Sequence, residues 1–234
     1  MNTFSTTVLF EDNDILVCHK PAGVATESAS IKTKDMVSLV KKHLCENNGK
    51  SDPYLGVIHR LDQPVSGILV FAKTPAAAAS LSAQVQTDDM GKYYTATVHG
   101  NLSTVNVDTK SDSDDWVLLT DYLLKDSKSN KAIIVNKGKK GPDGKPAKEA
   151  KLLYRIKSYN STNDTTVLGI ELLTGRFHQI RAQLANIGHP ILGDVKYGAE
   201  PINSSDSGRS GIALTADELH FKHPSTGKEM QFNI

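Results

Sequence analysis

Residues 59–73 read His-Arg-Leu-Asp-Gln-Pro-Val-Ser-Gly-Ile-Leu-Val-Phe-Ala-Lys, which places charged and turn-forming residues directly before an apolar run. The apolar part, 68–71, is short and rich in β-branched side chains, and it predicts a buried strand. The Gln-Pro and Ser-Gly pairs before it are typical of turns. We therefore expect His59, Arg60 and Asp62 on a loop that a sheet holds in place, where catalytic groups are commonly found. This window alone is equally consistent with Asp62 capping a turn and Arg60 pointing into solvent.

The stretch resembles the central motif of the RluA-type RNA pseudouridine synthases, and other segments resemble further motifs of that family in the same order. They are the Lys-Pro-Ala-Gly turn at 20–23, the strand-like segment 91–100, the Gly-Arg-Phe-His-Gln-Ile-Arg block within 173–181 with its continuation to 198, and the closing segment 219–224. One departure is Val65, which stands where the family often has Thr. It removes a hydroxyl from the loop and leaves the charged residues in place.

The resemblance implies an α+β fold with a mixed, largely antiparallel sheet, flanking helices and a central RNA-binding cleft. It also implies a single catalytic domain over 1–234. Many relatives carry an additional RNA-binding domain of the S4 type before the catalytic one. Because the Lys20-Pro21 motif comes so early, we expect no N-terminal S4 domain in this chain.

Composition is that of an ordinary globular protein. The chain has 234 residues, of which 38% are hydrophobic and 23% charged, enough for one large or two small domains. No apolar run has the length of a membrane span, and the first residues lack the pattern of a signal peptide. Cys18 and Cys45 have no metal-binding or redox spacing. We expect a monomer in the cytoplasm with reduced thiols and no membrane association.

Charge is distributed unevenly along the chain. The formal net charge of +1 does not by itself indicate a nucleic-acid partner, but lysines and arginines are concentrated between 125 and 157. Such a concentration is typical of a surface that contacts a phosphate backbone. A solvated basic loop is the alternative. We expect RNA contacts from the cluster Lys137, Lys139 and Lys140.

Periodicity outlines the remaining elements. Strands are predicted at 7–10, 15–19, 93–98, 116–119, 131–136, 150–159 and 165–173, with a long polar loop at 138–148. Helices are predicted at 34–46, from Pro75 through Leu81 and Val85, and at 177–187. In the strand 93–98, Tyr94, Ala96 and Val98 should share one face. Residues 201–210 are rich in Ser, Asn and Gly, which predicts a flexible segment.

The family resemblance also implies which residues perform the chemistry. It places the essential aspartate at Asp62, the active-site tyrosine at Tyr94 and a partner arginine at Arg181. Asp62 would act at the ribose, either as a nucleophile at C1′ or as the base that opens a glycal route. Arg181 would keep that carboxylate ionised in a cleft that excludes water. Tyr94 would stack on the uracil and act in removal of the C5 proton.

Further residues are expected to contact RNA. Arg60 corresponds to the family residue that enters the base stack as the target base leaves, because a planar cation can replace a base. Supporting roles with RNA are expected for His59, Lys73, Lys92, Arg176 and Gln179.

The leading hypothesis is therefore an isomerase that flips uridines of ribosomal RNA, transfer RNA or both out of the stack. The reaction needs no metal and no redox cofactor, and we expect none. One alternative is an inactive RNA-binding module of the same fold. Another is a glycosidase-like hydrolase, which usually needs two opposed carboxylates, whereas only Asp62 lies in a motif that suggests chemistry.

Overall fold

We describe a computed structural model of the chain, covering residues 7–28, 34–48, 51–102, 115–201 and 211–234. Its elements in chain order are β1 (Val8–Glu11), β2 (Ile15–Lys20), α1 (Met36–Asn48), β3 (Gly56–Val57), β4 (Ser66–Ala72), α2 (Pro75–Gln86), β5 (Gly91–His99), β6 (Val117–Asp126), β7 (Lys131–Val135), β8 (Lys148–Asn160), β9 (Thr165–Leu172), α3 (Gln179–Asn186), a short 3-10 helix (Val195–Tyr197), β10 (Leu214–Lys222) and β11 (Glu229–Asn233).

The chain divides into two compact units, Met1–Gly91 with Ala216–Ile234, and Lys92–Thr215. Each unit combines antiparallel strand pairs with helices, so the predicted α+β class is confirmed. The prediction of one domain over 1–234 stays a prediction. The predicted flexible segment lies outside the described residues except for Pro201.

The first unit is built around β4, the strand that follows the Asp62 loop. Its strands lie in the order β1-β2-β4-β10, with β3 paired to β4 and β11 paired to β10. α2 packs against β3 and β4. It begins where Thr74 accepts a hydrogen bond from the Ala77 N–H (3.1 Å) and Pro75 takes a first-turn position, in agreement with the predicted start. The core between them contains Ile15, Val17, Ile68, Val70, Ala72, Ala77, Leu81, Met90, Leu219 and Phe221.

The second unit contains antiparallel strands in the order β5-β9-β8-β6-β7. α3 packs against β6, β7 and the short 3-10 helix. Along β5 the burial alternates strictly, with Lys92, Tyr94, Ala96 and Val98 buried. The prediction that Tyr94, Ala96 and Val98 share a face is therefore confirmed.

Several predicted boundaries are wrong. Ser66 and Gly67 lie inside β4 and not in a turn, β9 ends at Leu172, and α3 begins at Gln179 and not at Phe177. The late start of α3 has a local cause. His178 has a left-handed φ of 50°, which is incompatible with a right-handed helix at this position.

Candidate active site

Asp62 lies on the loop between β3 and β4, as the sequence predicts. The loop is bonded to the turn that follows β2. Gln63 O accepts from the Gly23 N–H at 2.8 Å, and the Gln63 side-chain amide donates to Gly23 O at 3.0 Å. The Thr26 hydroxyl donates to Leu61 O at 3.0 Å and accepts from the Leu61 N–H at 3.1 Å. The residues on both sides of Asp62 are therefore hydrogen-bonded to the segment that follows β2.

Lys20 is the charged group at the centre of this connection. Its side chain is fully buried, and Nζ donates to Val24 O at 2.6 Å, Pro21 O at 3.1 Å and Gln63 O at 3.2 Å. Burial lowers the pKa of Lys20 to about 8, and the negative charge of Asp62 opposes this shift. Lys20 therefore ties the two segments together and places a cation near the Asp62 carboxylate.

Gly67 permits the close approach of β4 to β10. Its φ is +138°, and a Cβ at this position would lie 2.4 Å from Ala216 O and 2.6 Å from Ala216 N. A side chain at this position would push apart the backbones of β4 and β10, next to the loop that carries Asp62. The glycine of the central motif is therefore a packing requirement of the scaffold.

The other predicted residues around this loop differ in exposure. The Arg60 side chain is 69% exposed and pairs with Glu27 at 2.9 Å, so it lies where RNA could reach it. His59 Nε2 accepts from the Val70 N–H of β4 at 3.3 Å. Lys73 is nearly buried and bonds to Glu11 at 2.7 Å and to the Asp12 carbonyl. These bonds favour a supporting role for His59 and Lys73 over RNA contact, which stays a prediction for both.

In the second unit, Tyr94 and Lys92 lie on the buried face of β5, and Tyr93 lies half-buried on the opposite face. Tyr94 pairs across the strand with Ile170 of β9. The alternation separates Tyr94 and Tyr93 as the sequence predicts. Active-site contacts of Tyr94 and RNA contacts of Lys92 stay predictions.

Arg181 lies on α3, and 5% of its side chain is exposed. Nε donates to Asp194 Oδ2 at 2.7 Å and Nη2 donates to Asp194 Oδ1 at 2.8 Å. This is the planar bidentate geometry of a strong arginine–carboxylate pair. The predicted ion pair of Arg181 with Asp62 joins residues of different units and stays a prediction.

Gln179 and Arg176 form hydrogen bonds at the N-terminus of α3 and in the turn before it. Gln179 Oε1 accepts from the Thr174 hydroxyl at 2.8 Å and the Arg176 N–H at 3.0 Å, while Nε2 donates to Lys151 O at 3.0 Å. Arg176 Nε donates to Glu149 O at 2.8 Å. Gln179 is buried and bonded through both amide atoms. The bonds favour a structural contribution from both residues, and their predicted RNA contacts are not tested by them.

The three lysines of the basic cluster are exposed on an ordered loop after β7. Lys139 N–H donates to Asn136 O, Lys139 O accepts from the Ala147 N–H at 2.8 Å, and Lys140 bridges to Pro146. The loop thus presents Lys137, Lys139 and Lys140 on one short hairpin-like segment.

Sequence reasoning missed three residues that contact the predicted site residues or their loops: Lys20 in the first unit, and Asp194 and Tyr197 in the second. All three lie within the family-like motifs, but the motifs alone assign them no role. A lysine at the end of the apolar strand Ile15–Lys20 is a detectable signal, because a buried strand rarely carries a charge without a purpose. Within the described ranges, no group of three or more His, Cys, Asp or Glu side chains is arranged to hold a metal ion.

Comparison with known proteins identifies the family of this chain. A family model described as RNA pseudouridylate synthase matches residues 14–186, which include the Asp62 loop, Tyr94 and Arg181. The chain belongs to the RNA pseudouridylate synthase family. A relative in the same family is the ribosomal large subunit pseudouridine synthase C of Buchnera aphidicola (subspecies Schizaphis graminum), 32% identical over 232 residues, covering 95% of this chain. The chain spans 65% of the length of that relative.

Another family member is an uncharacterized RNA pseudouridine synthase of Bacillus subtilis, 34% identical, with 96% of this chain and 67% of the relative covered. Among solved structures, human RNA pseudouridylate synthase domain containing 4 has a TM-score of 0.74 at 20% identity, covering 99% of this chain and 89% of that one. This likeness confirms the predicted pseudouridine synthase fold. Among the described residues, no helix is long and apolar enough to cross a membrane.

Proposed function

We propose that this chain isomerises uridine to pseudouridine in RNA, with Asp62 as the group that acts on the ribose. Family membership supports the reaction class. The observation that carries the assignment is the support of Asp62, because its loop is bonded on both sides to the turn 20–26 and the buried Lys20 ammonium lies near its carboxylate. Such preorganisation is what a group that acts on a reacting bond requires.

The chemistry conserves atoms. The bond from C1′ of the ribose to N1 of uracil breaks, the base turns within the site, and a bond from C1′ to C5 forms. The C5 hydrogen leaves as a proton, and N1 gains one. Asp62 serves as a nucleophile at C1′ or as the base that opens a glycal route, and Arg181 supplies positive charge beside the Asp62 carboxylate. Tyr94 stacks on the uracil and acts in removal of the C5 proton.

The base must leave the RNA stack before it can react. Uridines in loops and single strands are the favoured targets, because their bases are splayed out at low cost. The printed name of the Buchnera relative refers to the large ribosomal subunit. We extend this to a substrate in ribosomal RNA, transfer RNA or both, modified by a cytoplasmic monomer in which residues 1–234 form one catalytic domain. Comparing pseudouridine maps of total RNA from cells with and without the gene would identify the target.

The direct test uses RNA whose uridines carry tritium at C5. Isomerisation releases tritium to water and leaves the base attached to the sugar, whereas a hydrolase releases free uracil and an inactive RNA-binding module releases neither. Asp62→Asn is nearly isosteric and removes the charge, so we expect tritium release to fall by at least about 100-fold. Asp52→Asn is the matched control, because Asp52 is 83% exposed and pairs only with the half-exposed Lys41 among its described contacts.

RNA binding and thermal stability of Asp62→Asn should match those of the wild type. Turnover by Asp62→Asn within tenfold of wild type would show that Asp62 is not the essential carboxylate. Release of free uracil by the wild type would replace the isomerase assignment with a hydrolase.

A further inference from the structure

Asp194 uses its carboxylate in an unexpected way. It directly precedes the 3-10 helix Val195–Tyr197, a position at which aspartate commonly accepts hydrogen bonds from the N–H groups of the helix. Its side chain makes no such capping bond. Both carboxylate oxygens instead accept from Arg181, 13 residues earlier in the chain.

The backbone of Asp194 is held independently of this pair. Its N–H donates to Ile191 O at 3.0 Å, and its carbonyl accepts from the N–H groups of Tyr197 at 2.9 Å and Ala199 at 3.2 Å. Only 1% of the Asp194 side chain is exposed. The carboxylate is therefore a rigid and dry acceptor with a defined direction.

The pair fixes the plane of the guanidinium. A guanidinium has five N–H donors, of which Asp194 accepts one from Nε and one from Nη2. Both rotation about the side chain and tilt are set by this two-point interaction. The other three N–H groups lie away from the edge of the guanidinium that faces Asp194.

Tyr197 supports the same guanidinium from its ring face. The ring centroid lies 5.1 Å from Arg181 Cζ. The Tyr197 hydroxyl accepts from the Ala132 N–H of β7 at 2.7 Å and lies 3.0 Å from His178 Nδ1. The ring is thereby anchored to β7 and to the residue before α3.

A buried pair of this kind is a poor stabilising device, because the desolvation of both charges offsets their attraction. Its effect on direction is large by comparison. We propose that Asp194 is a positioning residue that aims Arg181 in the isomerisation reaction, and that Tyr197 completes this support. The proposal rests on the proposed function, in which Arg181 supplies the positive charge beside the reacting carboxylate.

A consequence is that the positive charge of Arg181 acts only when the guanidinium is correctly oriented. Asp194 provides that orientation through its two hydrogen bonds. Lysine cannot form the two-point interaction and offers only a point charge on a flexible stem. Arg181→Lys should therefore slow the reaction although it keeps the charge, and Arg181→Met should slow it further.

The test is a double-mutant cycle on the single-turnover rate at saturating RNA. Asp194→Asn keeps only one of the two acceptor oxygens, and we expect the rate to fall by about 100-fold, the effect of a misplacement near 1 Å, with unchanged RNA affinity. In the Arg181→Lys background no guanidinium is present to be oriented, so Asp194→Asn should cause no further reduction in the single-turnover rate. A merely structural role would reduce the rate in both backgrounds.

Two further variants keep the test decisive. Asp35→Asn removes another buried aspartate, which does bond backbone N–H groups, those of Ser28 at 2.6 Å and Ser38 at 2.8 Å. It should change thermal stability and leave the rate unchanged.

If Asp194→Asn does not fold, Tyr197→Phe keeps the ring and removes the hydroxyl that is hydrogen-bonded to β7. Its rate should fall by about fivefold, the equivalent of one hydrogen bond, and only when Arg181 is present.

Additive reductions in rate across the cycle in an active wild type would overturn the positioning role and leave the proposed function intact. An inactive wild type, or an active Asp62→Asn variant, would instead overturn the proposed function itself. A fall in RNA affinity with an unchanged rate would also overturn the positioning role, since Asp194 would then serve binding.

Discussion

Lys20→Met tests whether a buried charge holds the Asp62 loop against the turn after β2. Lys20 has no exposed surface, and its ammonium donates to the carbonyls of Pro21, Val24 and Gln63. Methionine has a similar shape and fills the space without donating. The substitution therefore removes the charge and three hydrogen bonds while it conserves packing.

Two effects of Lys20→Met on stability oppose each other at neutral pH. Each carbonyl that is left without its donor and stays buried costs about 1–3 kcal/mol. Against this, burial lowers the pKa of Lys20 from 10.5 to about 8. At 1.36 kcal/mol per pKa unit, that shift corresponds to about 3 kcal/mol of unfavourable free energy, which the methionine variant does not have. The three carbonyls together cost about 3–9 kcal/mol if all of them stay buried and unpaired. We therefore expect Lys20→Met to be less stable than the wild type by about 0–6 kcal/mol at pH 7, and the pH dependence of the difference is the informative quantity.

The sign of the pH dependence follows from linkage. The folded-state pKa lies below the unfolded value, so between pH 8 and 10.5 the unfolded chain holds the Lys20 proton and the folded chain has released it. The free energy of unfolding then rises with pH through this group. Relative to Lys20→Met, the wild type should gain about 2 kcal/mol between pH 7 and pH 9.5. The methionine variant has no such contribution.

Urea unfolding of both proteins at several values between pH 7 and pH 9.5 measures this difference. Lys222→Met is the control, since the Lys222 side chain is 57% exposed, and its difference from wild type should stay constant. A difference between wild type and Lys20→Met that also stays constant within about 0.5 kcal/mol would mean that Lys20 is not held in a desolvated site. It would refute the role of the buried Lys20 charge in holding the loop.

The remaining predictions concern the second unit. Tyr94→Phe should preserve RNA binding and lower the rate of tritium release, whereas Tyr93→Phe, on the opposite face of β5, should leave it unchanged; equal effects would contradict the assignment of faces. Replacing three lysines with alanine should weaken binding to all RNAs alike and make the slope of log affinity against log salt shallower, by about 0.7 for each single-strand phosphate that is no longer neutralised. The lysines are Lys137, Lys139 and Lys140. An unchanged slope in filter binding would instead indicate a solvated loop.

Most elements of the fold could be predicted because their apolar periodicity is strong. The stripe of α1 is an example, since Met36, Val40 and Leu44 are all buried. The sequence does not predict the strands β3 and β11. β3 is two residues long and β11 alternates in a polar sequence, so neither carries enough apolar pattern to stand out.

Boundaries failed where backbone geometry overrides composition. A Ser-Gly pair is typical of a turn, yet Gly67 is needed inside β4 because Ala216 of β10 lies too close for any side chain. The apolar spacing that begins at Phe177 predicts a helix, yet His178 adopts left-handed geometry while its ring stacks on Phe177 at 3.8 Å. A tertiary contact decides the first case and the local backbone geometry of His178 decides the second, and apolar periodicity contains neither.

The sequence predicts residues for the candidate site, but it does not predict most of the residues that support them. The position of Asp62 on a loop before a strand follows from the local pattern. The partner of Arg181 does not, because an aspartate at the start of a 3-10 helix is expected to cap it, and only the folded turn from Ile191 to Ala199 shows the carboxylate bonded elsewhere. The burial of Lys20 is indicated by its position at the end of an apolar strand, but its three carbonyl partners follow only from the folded turn.

These supports explain why the motifs occur as they do along the chain. The Lys-Pro-Ala-Gly turn at 20–23 and the loop at 59–67 are separate in sequence but form one hydrogen-bonded assembly around Asp62. The block at 173–181 and its continuation to 198 form a second assembly around Arg181. In each assembly one segment carries the charged side chain, and the other segment fixes its orientation through hydrogen bonds. A substitution in the motif that holds the charged group should therefore lower the reaction rate and leave RNA affinity unchanged. Replacement of the exposed lysines should have the opposite effect, because it should weaken RNA binding and leave the rate at saturating RNA unchanged.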